Sequence, residues 1–305
     1  LGWNADPDEA RKPENVLPRI REMLGPDADF ELEWVSVYQF ACRRIDRFRH
    51  GRVIFAGDAA HQVSPFGARG ANSGIQDTDN LAWKLALVLG GRAPESLLDT
   101  YCAERQFAAD ENIRNSTRST DFITPKSAAS RVFRDATLAL ARDHAFARAL
   151  VNSGRLSVPS FYAASALNTP DAEPFAGRMI PGAPMDDAPV DDEGRAGWLL
   201  DAAGGRFQAM LFTADPARVD AGTLAALRAL AAGPIPIDAL VVADVPGSIP
   251  GVKVVVDRKG AASRRYDGRE GTTYVLRPDQ HVCARMRRFD ADAVRRAVAR
   301  ATANA

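Results

Sequence analysis

Residues 51–89 read GRVIFAGDAAHQVSPFGARGANSGIQDTDNLAWKLALVL, and the rest of the chain is understood from them. Val53–Ala56 is a short apolar run between Gly51 and Gly57, which predicts a strand buried on both faces. Gly57 turns the chain and leaves Asp58 at the strand's carboxyl end, where open α/β sheets bind ligands. A loop rich in proline and glycine follows, and then a helix on which Ile75, Thr78, Ala82, Leu85 and Leu89 recur at spacings of three and four. That stripe is expected to face inward. Asp77 and Asp79, in the early turns, suit the positive end of the helix dipole.

A carboxylate with glycine beside it can accept hydrogen bonds from the hydroxyls of a polyol, because no side chain blocks approach to the backbone. A glycine-rich loop entering a helix presents free N–H groups and partial positive charge to an anion. Together these residues resemble the second FAD-binding motif of the flavoprotein aromatic hydroxylases. This is the para-hydroxybenzoate hydroxylase and phenol hydroxylase superfamily, and the likeness is to its 3-(3-hydroxyphenyl)propionate hydroxylase-like members. The resemblance implies that Asp58, next to Gly57, binds the ribityl chain of FAD, and that Pro65, Gly67, Gly70, Ala71 and Asn72 contact the flavin ring. Ala68 and Ala71 stand where the family usually has a glycine and a methionine; the N–H groups remain, so cofactor binding is expected to survive. It also implies an FAD-dependent, NAD(P)H-using monooxygenase that hydroxylates an aromatic, phenolic substrate, with no catalytic base identifiable. Two other readings stay open: another flavin enzyme with the same motif, such as a halogenase or a reductase, and a non-catalytic dimerisation or binding fragment.

The chain has 305 residues, enough for about two domains. With 46% apolar residues and no run long enough to span a bilayer, a soluble globular protein is expected. The 39 basic residues balance the 39 acidic ones, so charge does not suggest nucleic acid. Cys42, Cys102 and Cys283 are odd in number and far apart, which fits reduced thiols in the cytoplasm. The histidines His50, His61, His144 and His281 show no metal-ligand spacing, and His61, after the Gly-Asp turn, is read as structural with a catalytic role as the alternative.

The chain opens at Leu1 without the G-x-G-x-x-G fingerprint that the resembled family carries for the ADP half of FAD. A carboxyl-terminal portion of a longer protein is therefore expected. Residues 1–52 would end a substrate-binding sheet: Leu1–Trp3 closes a strand, Arg11–Leu24 is a short helix, and Phe30–Phe48 shows partial strand alternation. Tyr38 and Phe40, with Pro65, are the candidate substrate contacts, although buried core aromatics are the more ordinary reading. The cluster of Arg43, Arg44, Arg47, Arg49 and Arg52 reads as a solvated face, with an anion role toward the cofactor or a substrate carboxylate as the alternative.

Residues 53–160 would complete the flavin domain. One helix is capped by Ser96 with an apolar stripe of Leu97, Leu98, Tyr101 and Phe107, and Glu104-Arg105 follows at a spacing familiar from the family. A second runs from Ala128 to Val151 with Val132, Phe133, Leu138, Leu140, Phe146 and Leu150 apolar. Both read as scaffold. Residues 161–205, rich in proline and glycine, read as a linker, and Asp186, Asp187, Asp191 and Asp192 carry no acid–base role there. Residues 206–305 read as an α/β module: strands near 207–212, 239–243 and 252–256, a helix over 217–232, a hairpin of 272–276 with 282–286, and a closing helix capped by Asp290. This order resembles the thioredoxin-like carboxyl-terminal domain of the phenol hydroxylase group, without redox cysteines and with a structural or homodimer-contact role.

Overall fold

The computed structural model describes residues 6–151 and 158–305. Leu1–Trp3, expected to close a strand, lies outside them. The chain divides into two compact units, residues 1–41 and 42–305.

In the first unit, α1 (Pro7–Ala10) and α2 (Pro13–Leu24) follow one another. The side chain of Asp6 accepts a hydrogen bond from Asp8 N at 2.8 Å and caps α1. Pro13 opens α2, where its missing N–H costs nothing. Residues 30–41 form no strand, contrary to their alternation, because no described segment pairs with them and a strand without partners leaves its backbone groups unsatisfied. Tyr38 is 75% exposed and stacks on Phe40 with ring centroids 5.7 Å apart, so neither is a buried core aromatic.

The second unit begins with short strands: β1 (Arg43–Arg44), β2 (Arg49–His50), β3 (Val53–Ile54) and β4 (His61–Gln62). β1 pairs with β4 and β2 with β3, both antiparallel. The strand expected at Val53–Ala56 is thus shorter than its apolar run. With a neighbour on one side only, it leaves Val53 57% exposed rather than buried on both faces. Two of the five clustered arginines pair with acidic side chains, Arg44 with Asp110 and Arg49 with Glu95 and Asp99.

Helices α3 (Arg69–Leu89) and α4 (Leu97–Ile123) pack side by side. The inward face of α3 differs from the expected stripe: Ile75 is 67% exposed and Leu89 also faces solvent, whereas Ser73, Asp77, Asn80, Trp83, Lys84 and Leu87 are buried. The polar side chains are inward because each finds buried partners there. On α4, Leu97, Leu98 and Tyr101 are buried as expected, Phe107 is exposed, and Ser96 makes no capping hydrogen bond. The next region is two helices rather than one, α5 (Ala128–Ala141) and α6 (Ala145–Val151), which pack mainly on each other. Their apolar residues stay exposed, and only Thr137 and Ala147 are buried.

The rest is a seven-stranded mixed sheet. Its strands are β5 (Pro189–Asp192), β6 (Arg195–Trp198), β7 (Phe207–Thr213), β8 (Ile237–Ala243), β9 (Lys253–Val256), β10 (Thr273–Leu276) and β11 (Val282–Met286). Helices α7 (Ala221–Ala231), α8 (Ala261–Tyr266) and α9 (Ala291–Ala301) complete it. The order across the sheet is β11-β10-β7-β8-β9-β5-β6, with β7, β8 and β9 parallel and the other pairings antiparallel. β7 is buried along its length. Phe207, Ala209 and Leu211 point to a core shared with α7, α9, Trp83, Leu87 and Leu97, while Met210 and Phe212 point to a core with Tyr266 and Tyr274. The elements read from residues 206–305 are all present.

The stretch read as a linker instead contributes β5 and β6 to the sheet edge and buries Met179, Ala183, Met185 and Leu199 in its second core. Its acidic residues are tolerated there because Asp191 pairs with Arg258 and Asp192 with Lys253. No helix among the described residues is long and apolar enough to cross a membrane.

Candidate cofactor site

Gly57 adopts φ +58° and starts a single 3-10 turn over Gly57–Ala59, closed by Ala60 N donating to Gly57 O at 2.8 Å. The turn lies close against α3, where a Cβ at Gly74 would come 3.4 Å from Gly57 Cα. Its two ends hang on one carboxylate. Gly57 N donates to Asp77 Oδ2 at 2.8 Å, and His61 Nε2 lies 2.7 Å from the same oxygen. Asp58, between these anchors, is exposed to solvent.

Asp77 is itself clamped. Arg105 Nε donates to Asp77 Oδ1 at 2.5 Å, while the other guanidinium nitrogens donate to Tyr162 Oη at 2.6 Å and to Ser73 O at 3.0 Å. Asp77, Arg105 and Ser73 are almost wholly buried. Burial works to raise the Asp77 pKa, but the hydrogen bond from His61 and the charge of Arg105 outweigh it and hold the carboxyl below its ordinary range. At Tyr162 burial prevails instead, and its hydroxyl is pushed up to about 12 and stays protonated.

The loop that follows is tied to α4, with Ser64 Oγ 2.5 Å from Ser116 Oγ and 3.0 Å from Thr120 Oγ1. A turn at Pro65 closes with Ala68 N donating to Pro65 O at 3.0 Å. Gly67 then takes φ +86° and Ala68 φ +50°, and no side chain caps the start of α3. The first turn of a helix has no intrahelical acceptor for its N–H groups, so those of Gly70 and Ala71 can serve an outside one. Pro65, Gly67, Ala71 and Asn72 are exposed and Gly70 half-buried, beside a concavity lined by Gly67, Arg69, Asn72, Ser73, Gln76, Val158 and Pro159. An exposed carboxylate on a glycine turn and an uncapped, glycine-rich helix start are a donor and acceptor set that fits a polyol chain and an anionic ring. Among the described residues no group of histidine, cysteine, aspartate or glutamate is arranged to hold a metal.

A second buried network adjoins the first. Glu104, next to Arg105 on α4, accepts from Arg277 at 2.6 and 3.0 Å, from Lys84 and Asn80 at 2.8 Å, and from Ser165 at 2.6 Å. Arg277 also pairs with Asp279 and lies over the Trp83 ring at 5.3 Å. Burial pulls the Lys84 ammonium down to about 8 against the attraction of Glu104. Sequence reasoning read α4 as scaffold and gave α3 an apolar inward stripe, and it missed both networks. A signal existed: Ser73, Asp77, Asn80 and Lys84 recur at spacings of four, three and four, as regular a stripe as the apolar one. His61 is buried and pairs with Asp77.

Residues 3–116 match the FAD binding domain family, and residues 177–301 match the HcaD C-terminal domain family. Among curated relatives, a probable NADH-specific resorcinol 4-hydroxylase of Rhodococcus jostii is 50% identical over 102 residues, 33% of this chain and 19% of that protein. A 3-(3-hydroxy-phenyl)propionate/3-hydroxycinnamic acid hydroxylase of Paraburkholderia xenovorans is 40% identical over 129 residues, 42% of this chain and 21% of that protein. The solved flavin-dependent monooxygenase PieE, in complex with FAD and substrate, superposes with a TM-score of 0.76 at 25% identity, covering 100% of this chain and 57% of that one. The chain thus spans about a fifth of the length of these curated relatives and little more than half of that structure. The chain matches an FAD binding domain family and then a HcaD C-terminal domain family, and it resembles the FAD-dependent aromatic hydroxylases.

Proposed function

We propose that this chain is part of an FAD-dependent, NAD(P)H-using monooxygenase that hydroxylates an aromatic, phenolic substrate. The observation that carries this reading is the exposed Asp58 on the Gly57 turn, packed against the same helix whose uncapped start follows the glycine-rich loop. Asp58 would accept hydrogen bonds from the ribityl hydroxyls, and the N–H groups at Gly70, Ala71 and Asn72 would face the negative edge of the reduced ring. When bound, FAD supplies the redox chemistry, with NAD(P)H as its reductant and dioxygen as the source of the hydroxyl. The chain's own residues hold the cofactor and fix its orientation.

The carboxyl-terminal module is read as thioredoxin-like, supported by β8-β7-β10-β11 lying in that order across the sheet with β9, β5 and β6 added at one edge. It is given no thiol chemistry. Cys283 is buried, its thiol pushed up to about 12 by burial, and all three cysteines are free. Free cysteines also support a reducing, cytoplasmic setting.

The test is Asp58→Ala in the full-length protein, with FAD affinity read by flavin fluorescence. Loss of charge-assisted hydrogen bonds worth about 1.5–3 kcal/mol each predicts FAD binding weakened at least about tenfold. Unchanged affinity would refute the role given to Asp58.

A further inference from the structure

Tyr162 touches none of the residues assigned to the cofactor, yet its hydroxyl starts an unbroken line of hydrogen bonds that ends on the cofactor turn. Tyr162 Oη accepts from Arg105 at 2.6 Å, Arg105 donates to Asp77 at 2.5 Å, and Asp77 holds Gly57 N at 2.8 Å and His61 Nε2 at 2.7 Å. Each member from Tyr162 to His61 is buried, so no water competes for the bonds. Tyr162 is in turn fixed from the carboxyl-terminal side. Its N donates to Gly182 O at 2.8 Å, Gly182 N donates to Val282 O at 2.7 Å on β11, and its ring stacks on His281 with centroids 4.8 Å apart. Arg277, beside Glu104, lies 5.9 Å from the same ring.

We propose that Tyr162 and Arg105 are positioning residues for the cofactor turn, through which the carboxyl-terminal module sets the placement of Asp58. This inference rests on the FAD reading. The geometry supports it in a specific way. Arg105 offers a planar fork whose orientation is defined by where its other nitrogens are bound: Tyr162 Oη takes one, Ser73 O and Oγ take another, and only the remaining Nε addresses Asp77. Removing the tyrosine hydroxyl frees one tine of the fork and leaves an N–H in a buried site without an acceptor. The guanidinium must then turn to find one, and Asp77 is the group it moves. Because both ends of the Gly57–His61 turn hang on Asp77 Oδ2, a shift there carries Asp58 with it. The module is thereby connected to the turn through buried hydrogen bonds.

Tyr162→Phe in the full-length protein is the direct test, since it deletes one oxygen and keeps the ring stacked on His281. FAD affinity, the visible spectrum of the bound flavin and its midpoint potential are measured alongside circular dichroism of the protein, with Asp58→Ala as the reference. The expected result is FAD binding weakened about three- to tenfold with a shifted flavin spectrum and an unchanged fold, the scale of one lost hydrogen bond. Ser73→Ala, which removes another acceptor of Arg105, should move the same readouts in the same direction and serves in its place should Tyr162→Phe fail to fold. If Asp58→Ala weakens FAD while the folded positioning variant binds and tunes it as wild type does, the inference is overturned and the FAD reading stands. If Asp58→Ala itself leaves FAD binding unchanged, the FAD reading falls, and the inference with it.

Discussion

Arg277 and Glu104, 173 residues apart in sequence, meet in two hydrogen bonds of 2.6 and 3.0 Å with both side chains buried. A fork-on-carboxylate pair of this kind joins the sheet module to the helix that also carries Arg105. Removing two charges from water is unfavourable, and the pair is tolerated because Lys84, Asn80, Ser165 and Asp279 satisfy the remaining donors and acceptors. Arg277→Ala leaves Glu104 and Asp279 facing each other across a cavity, so a loss of about 3–5 kcal/mol is expected in urea unfolding. Replacing Arg277 and Glu104 together by apolar residues of similar volume should cost much less than the single change. Additive losses would show that the pair is not the unit of stability.

Acid should act on the same residues. Burial raises the pKa of Asp77, Glu104 and Asp279, yet each is held below the ordinary carboxylate range: Asp77 by His61 and Arg105, Glu104 by Arg277 and Lys84, and Asp279 by Arg277 and His281. The unfolded chain therefore takes up protons first as pH falls. Their stabilising contribution is complete above about pH 4–5 and is lost as pH drops below about 4 toward the folded-state values. Glu104→Gln should be less stable at neutral pH and show a shallower decline on acidification. Denaturation midpoints between pH 6 and 2.5 would check this, and equal slopes for the two proteins would contradict it.

The parts of the fold that were legible in the sequence are those whose burial is decided locally. β7 and β8 are largely apolar, and a parallel arrangement buries them, so strands at 207–212 and 239–243 were legible within the observed Phe207–Thr213 and Ile237–Ala243. The inward face of α3 did not, because its partners are distant: Asp77 meets Arg105, and Asn80 meets Asp279, 199 residues away. A polar side chain reads as solvent-facing until its buried counter-charge is known. The same limit hid β5, whose Asp191 and Asp192 pass for a loop until Arg258 and Lys253 are brought alongside. In residues 30–41 the error ran the other way, since alternation without a partner strand makes no sheet. The residues proposed for the cofactor stood out in the sequence because glycine carries its constraint in its own backbone, as Gly57 and Gly67 do at φ +58° and +86°.

Ala68 has a constraint of that kind and the wrong side chain for it. Its φ of +50° at the start of α3 lies in the left-handed region, which costs a residue with a Cβ roughly 1–2 kcal/mol. Glycine there removes the strain and gives back about 0.4–1 kcal/mol to the freer unfolded chain. Ala68→Gly is therefore expected to stabilise the protein by about 0.5–1 kcal/mol, balancing those two terms. Gly67→Ala, at φ +86°, should destabilise it. Denaturant midpoints of the two variants should move in opposite directions, and a loss of stability in Ala68→Gly would mean that the left-handed conformation is not retained in solution.

Gly182 separates backbone strain from contact. Its φ is +91°, and a Cβ would fall within 2.8 Å of Ala163 N and press on the carbonyl of Tyr162. Both neighbours are backbone, and the same segment is held by the bonds of Tyr162 N to Gly182 O and of Gly182 N to Val282 O, so neither side can move without breaking one. Gly194 has a similar φ of +83°, but a Cβ there meets nothing within 4 Å. Gly194→Ala should therefore cost only the left-handed conformation, about 1–2 kcal/mol. Gly182→Ala adds overpacking of about 1–3 kcal/mol against an immobile backbone, and the lost hydrogen bonds come on top of that. Unfolding in urea should rank the two variants in that order by at least about 1 kcal/mol, the lower end of that overpacking cost. Where Gly182→Ala still folds, it should also displace Tyr162, so its FAD affinity should fall more than that of Gly194→Ala. Equal stabilities would mean that the Tyr162 segment yields readily, and with it the rigidity on which its hold on Arg105 depends.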